Sequence, residues 1–200
     1  MNFESLLIIT YGRSGSTLLQ GLLNSIDGCV VRGENHDLCR GLFEAWQSLR
    51  DTKLKHGKGK ASLSPTSPWF GASILSEGQF ILDTRTLVHN QLMGPINADS
   101  VSCLGFKEIR YLPPGLAKKS KGSLSDYLDF LAKVFPKPAF IILTREHGQV
   151  GNSAWWQDKK LDQVKRQLTI FEKEVRAYSQ DKPWAYSINY DDITNRSDKL

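Results

Sequence analysis

Cysteine is scarce in this 200-residue chain: Cys29, Cys39 and Cys103 are odd in number, widely spaced and, for two of them, set in apolar strand-like runs. That pattern offers neither a disulfide framework nor metal-ligand spacing, and the three are read as reduced core thiols. No apolar run is long enough to cross a bilayer or form a signal-peptide core, and Met1-Asn2-Phe3-Glu4-Ser5 brings no basic segment. The expectation is a cytoplasmic protein without a membrane span. Asn195-Arg196-Ser197 fits the glycosylation acceptor pattern, which without secretion is a chance match. Internal repeats are absent, and the basic residues are not interleaved with aromatics in any nucleic-acid motif. A net charge of +5 favours an anionic partner without identifying it. With 40% apolar residues, the chain can build one α/β core, so residues 1–200 are read as a single domain.

What the chain does have is concentrated near its start. Leu6-Leu7-Ile8-Ile9-Thr10 is a short unbroken apolar run, as in a strand buried on both faces. Leu18, Leu19, Leu22 and Leu23 then fall on one face of a helix. Between them lies Tyr11-Gly12-Arg13-Ser14-Gly15-Ser16-Thr17. Strand, glycine turn and helix start in succession aim backbone N–H groups and the positive helix end at one spot, which suits phosphate or sulfate without a metal.

The loop departs from two common relatives. A Walker loop spaces its glycines by four residues and follows the second with Lys; here only Arg13 and Ser14 separate Gly12 from Gly15, and no Lys follows. A dinucleotide fingerprint needs a third glycine, which is missing. The group held is smaller than a triphosphate tail, and the Arg13 fork is placed to neutralise it.

Gly-Arg-Ser-Gly-Ser-Thr-Leu-Leu after a buried strand, followed by Arg32-Gly33-Glu34 at the end of the next, resembles the sulfotransferases that use 3'-phosphoadenosine 5'-phosphosulfate (PAPS). The likeness is greatest to the carbohydrate and tyrosylprotein types and their bacterial relatives. It extends to Arg145, which follows the strand Ala139–Thr144, and to Ser153 eight positions on; in the family an Arg and a Ser so spaced bind the 3'-phosphate. Asp191-Asp192-Ile193 is similar to the acidic-acidic-aliphatic segment after a later strand. Family members usually continue with another helix, and some with a late basic glycine loop. Neither is matched here, and the expectation is a truncated or minimal version with a more open cofactor site.

The remaining pattern predicts strands at Cys29–Arg32, Val101–Phe106 and Ala185–Tyr190, with Lys107 emerging after the second of these. Helices are predicted over 37–49, 74–93 and 158–180. Another starts at Ser123, with Asp126 three positions later as a capping partner, and stops at Pro136. Pro113-Pro114-Gly115 breaks the chain, and residues 53–68, rich in Lys, Gly, Ser and Pro, read as a flexible loop, either solvated or a basic flap over substrate. Strands alternating with helices imply a P-loop NTPase-like three-layer α/β fold, with a central parallel sheet of about five strands flanked by helices.

The resemblance also assigns roles. Gly12, Arg13, Ser14, Gly15, Ser16 and Thr17 would hold the 5'-phosphosulfate of PAPS, and Arg145 and Ser153 the 3'-phosphate. Catalysis would fall to Glu34 as general base, Arg13 on the departing phosphate, and Lys107, which either stabilises the sulfuryl group or simply pairs with a carboxylate. His36 is the second candidate base. Trp155 and Trp156 are candidates to stack on the adenine, although adjacent tryptophans cannot both face one pocket. The partners implied are the nucleotide donor, giving adenosine 3',5'-bisphosphate, and a hydroxyl-bearing acceptor, with no metal, nucleic acid or membrane span. A P-loop kinase or NTPase, or a non-catalytic nucleotide-binding module, is the alternative.

Overall fold

In this computed structural model, which describes residues 3–112 and 122–195, five strands form one sheet: β1 (Ser5–Ile9), β2 (Cys29–Arg32), β3 (Cys103–Glu108), β4 (Pro138–Thr144) and β5 (Ala185–Asn189). Every pairing is parallel, in the order β2-β3-β1-β4-β5. Parallel neighbours need long crossovers, and helices supply them. α1 (Ser16–Asn24) leads to β2, and α2 (Leu38–His56) with α3 (Glu77–Met93) leads to β3. α4 (Leu124–Val134) precedes β4, α5 (His147–Gly151) and α6 (Leu161–Ser179) precede β5, and α7 (Tyr190–Thr194) follows it. This is the expected three-layer α/β fold with a five-stranded parallel sheet.

Alternation along each strand divides the core in two. Leu7, Ile9, Leu104, Phe106, Phe140 and Ile142 meet buried residues of α2, α3, α4 and α6. Leu6, Ile8, Cys29, Val31, Cys103 and Leu143 meet Leu19 of α1, with Ile193 of α7 beside them. Each fully buried Leu, Ile or Phe contributes roughly 1.5–3 kcal/mol, which explains why β1 is apolar from Leu6 to Ile9. All three cysteines are buried and unpaired; burial pushes the thiols of Cys39 and Cys103 up to about 12.

The layering also fixes where a ligand can sit. β1 sends the chain leftward through α1 on one face, while β4 sends it rightward through α6 on the other. Adjacent strands whose crossovers diverge leave a crevice beyond their carboxyl ends. The loops after β1 and β4 flank that crevice.

Boundaries differ from expectation in several places: α3 starts at Glu77 rather than at residue 74, α6 at Leu161 rather than at 158, and Tyr190 opens α7 instead of ending β5. α2 runs to His56, so Lys53–His56 belong to a helix rather than a loop. Lys53, Lys55 and His56 in its last turn suit the negative helix end, and Gly57 follows as the cap. Beyond it Lys60–Ser62 form a short 3-10 turn. β3 starts at Cys103, after the Gly28 carbonyl has taken the amides of both Ser102 and Cys103, and runs on to Glu108, so Lys107 sits in the strand, not beyond it. Ser123 and Asp126 form the expected reciprocal cap. The Pro113-Pro114-Gly115 break, and Arg196 and Ser197 of the acceptor pattern, lie outside the described residues.

Candidate active site

Directly after β1, the loop is tied to its neighbour strand. Thr10 donates from Oγ1 to the Leu143 carbonyl (2.6 Å). The Tyr11 hydroxyl accepts from the Arg145 backbone N–H (2.8 Å) and reaches Glu172 Oε1 (2.8 Å), which also contacts His147 Nε2 (3.0 Å). Burial pushes the Tyr11 phenol well above its usual range, so it stays a proton donor. The start of the anion loop and the turn carrying Arg145 are thus one hydrogen-bonded unit.

Within the loop, Arg13 and Gly15 take left-handed backbone angles, φ 70° and 91°. At Gly15 a Cβ would stand 2.2 Å from the Tyr190 ring, and at Gly12 2.5 Å from Trp155 Cζ2. Gly15 is thus favoured by close approach and by conformation, while a methyl group at Gly12 would have to displace the half-exposed Trp155 ring. α1 begins at Ser16, and the first amides of a helix have no partner within it. Ser14 is fully buried, with its Oγ unpartnered. An oxyanion seated in the turn would satisfy these donors.

The other expected residues converge on the same place. Arg13 Nε donates to Ser153 Oγ (2.7 Å), and Arg145 Nη1 donates to the Arg13 carbonyl (3.2 Å). Arg145 is further held by Gln149 Oε1 (3.0 Å) and lies 4.0 Å over the Tyr190 ring. Ser153 lies just past α5, capping a 3-10 turn rather than riding on a helix. Glu34, beyond β2, receives Lys107 Nζ at 2.6 Å and Arg110 Nη1 at 3.5 Å. The crevice, about 210 Å³, is lined by Gly12, Arg13, Gly15, Ser16 and Thr17 and by Glu34, Lys107, Arg145 and Trp155. His36, Ser14 and Ser153 are not among its lining residues; Ser14 lies buried beneath the turn, and Ser153 is linked to the crevice through Arg13. Trp156 is buried and donates from Nε1 to the Gly12 carbonyl (3.1 Å), so packing accounts for it, while half-exposed Trp155 borders the crevice.

A larger cavity, about 480 Å³, opens at the amino ends of β1 and β3. Its charges are already engaged: Arg85 donates to the carbonyls of Lys133 and Val134, and Glu4 pairs with Lys137. Converging unsatisfied donors, not volume, make the smaller crevice the candidate site.

Four contributors were not read from the sequence. Tyr11 acts over a separation of 134 residues. Tyr190 covers Arg145 and Gly15, and only its position before Asp191-Asp192 hinted at it. Arg110 and fully buried Glu108 complete the acid cluster. Glu108 accepts from Arg110 (3.0 Å) and from the amides of Ile109 (2.8 Å) and Asp37 (3.2 Å), fixing the entry to α2 beside Glu34. Arg32 turns away from the crevice and donates to the Leu92 and Met93 carbonyls at the end of α3. No group of three His, Cys, Asp or Glu residues is placed to hold a metal among the described residues.

A five-stranded parallel sheet flanked by helices, with a glycine turn between its first strand and first helix and arginines and an acid at neighbouring strand ends, defines a three-layer α/β protein of the P-loop-like kind. The chain belongs to the sulfotransferase family, whose sequence model matches residues 5–198. Its general chemistry is therefore sulfuryl transfer, from a sulfate donor to a hydroxyl acceptor. No match is found among curated proteins.

Proposed function

We propose that the protein transfers the sulfuryl group of PAPS to a hydroxyl of an acceptor, with Glu34 as general base. The observation that carries this reading is the meeting of Arg13, Arg145, Ser153 and the Glu34–Lys107 pair around one glycine turn. The amides of Gly15, Ser16 and Thr17, with the hydroxyls of Ser14, Ser16 and Thr17, hold the 5'-phosphosulfate. Arg145 and Ser153 hold the 3'-phosphate, and Arg13, already bonded to Ser153, connects the two ends. The unpartnered Ser14 hydroxyl fits such a donor.

In the reaction the acceptor oxygen forms a bond to sulfur as the bond from sulfur to the 5'-phosphate oxygen breaks. The acceptor proton passes to Glu34, and the electron pair of the broken bond stays on the phosphate. Arg13 and the start of α1 stabilise that growing charge. Protonation of Glu34 frees Lys107 from its ion pair, leaving its charge for the sulfuryl oxygens. The acceptor is a glycan, peptide tyrosine, lipid or small alcohol or phenol, all of which offer the same nucleophile. Three unpaired buried thiols fit a reducing compartment, the cytoplasm.

A thermal-shift titration tests the donor assignment. Adenosine 3',5'-bisphosphate in the presence of a chelator should raise the melting midpoint, and ATP with magnesium should not. Stabilisation by magnesium-ATP alone would replace this reading with a phosphotransferase. Incubation with PAPS and representative acceptors, followed by product mass, identifies the class sulfated.

A further inference from the structure

The far end of α2 carries a surface unrelated to the crevice. α2 has 19 residues, so at about 1.5 Å per residue its last turn lies about 28 Å along the axis from its start near Glu34. Here the chain folds back on the helix. The His56 ring stacks on Trp69 with centroids 3.5 Å apart, the Gly71 amide donates to the Ser62 carbonyl (3.0 Å), and Lys53 Nζ donates to the Leu75 carbonyl. The fold-back is thus held by its own contacts, yet it presents large apolar side chains outward: Leu54 is 59% exposed, Leu63 71%, Trp69 40%, Phe70 59% and Ile74 83%.

The same segment has a one-sided charge. From Thr52 to Ser76 there are four lysines, Lys53, Lys55, Lys58 and Lys60, and no acidic residue. Lys58 and Lys60 are exposed and have no carboxylate partner among the described residues, while Lys55 makes only a solvent-facing pair with Asp51.

We propose that this surface docks the protein on an anionic lipid bilayer. Leu63, Phe70 and Ile74 enter the acyl boundary, Trp69 lies at headgroup level, and Lys58 and Lys60 sit against the lipid phosphates and carboxylates. The combination selects the occupant. Protein interfaces are depleted in lysine, and a polyanionic chain would use the lysines but leave Leu63 and Ile74 in water. A bilayer takes aliphatic, aromatic and ammonium groups together, each at its own depth. With the reactive crevice at the other end of α2, docking leaves it open to its substrates.

Co-sedimentation of the full chain with vesicles tests this. Vesicles of phosphatidylcholine with about a third phosphatidylserine should bind the protein, pure phosphatidylcholine much less, and added salt should weaken binding. Lys58→Glu/Lys60→Glu should lower partitioning roughly tenfold or more. Phe70→Ser/Ile74→Ser should lower it comparably while its salt dependence persists. Both variants should keep the wild-type melting midpoint and the wild-type shift with adenosine bisphosphate, which separates this proposal from the catalytic one. Failure to bind anionic vesicles above the phosphatidylcholine level overturns it. Binding to heparin that Phe70→Ser/Ile74→Ser leaves intact, in place of vesicle binding, makes the surface a polyanion site. Lipid-free self-association abolished by that variant, without vesicle binding, makes it a protein interface.

Discussion

Replacing Tyr11 with Phe removes one oxygen atom and tests whether the phenol positions Arg145. In the wild type that oxygen accepts the Arg145 amide at 2.8 Å and reaches Glu172 at 2.8 Å. The phenylalanine ring retains the buried packing against Phe171, so the loss is confined to the polar contacts. An amide left without its acceptor costs about 1–3 kcal/mol. Glu172 keeps His147 as a neighbour, which favours the lower half of that range. At about 2–4 °C per kcal/mol for a chain of this size, the melting midpoint should fall by about 2–8 °C. The functional consequence is more specific. Freed from its anchor, the Arg145 turn should grip a 3'-phosphate less well, with an affinity loss of up to roughly tenfold for each 1.4 kcal/mol of anchoring. Calorimetric titration with adenosine 3',5'-bisphosphate and with adenosine 5'-phosphate, which lacks the group assigned to Arg145, isolates that effect. The bisphosphate should lose affinity and the monophosphate should change little. Equal losses for both ligands, or a lower melting midpoint with an unchanged affinity ratio, would refute the positioning argument.

Glu34→Gln should lower turnover by ~10²–10⁴-fold while adenosine bisphosphate affinity changes little, measured by product formation beside calorimetry. Gly15→Ala sets a methyl group against the Tyr190 ring at a left-handed backbone position; nucleotide binding should be lost in the same titration, even where circular dichroism shows a folded chain. The Asp126 carboxyl is held below its usual range, chiefly by the Ser123 amide and then by its hydroxyl. A depressed folded value contributes stability above the unfolded pKa that disappears as pH falls through the folded one. Melting midpoints followed from about pH 6 down to about pH 3 should therefore drop less steeply in Asp126→Asn than in wild type.

The parts of the fold that were legible in the sequence are those fixed by local chemistry. β1 and β4 announced themselves as unbroken apolar runs because both of their faces are covered, and Ser123 with Asp126 marked a helix start within four residues. The glycine turn was legible for the same reason. The end of α2 was not: Leu54 and Lys55 face outward, so the apolar rhythm fades before the helix does. The site's supports escaped for a different reason. Tyr11 to Arg145, Tyr190 to Gly15 and Arg110 to Glu34 are pairings between distant segments, set by strand order rather than by neighbouring residues. A buried acid such as Glu108 looks in the sequence like any strand-end polar residue.

The two faces of the sheet are unequally clad, with four long helices on one and α1 and short α7 on the other. The helix whose first turn would grasp the donor is thus also the principal shutter over the smaller core. Under the proposed function, filling the crevice should tighten that hydrophobic seam, so amide protons of α1 should exchange with solvent more slowly with adenosine bisphosphate added than without it.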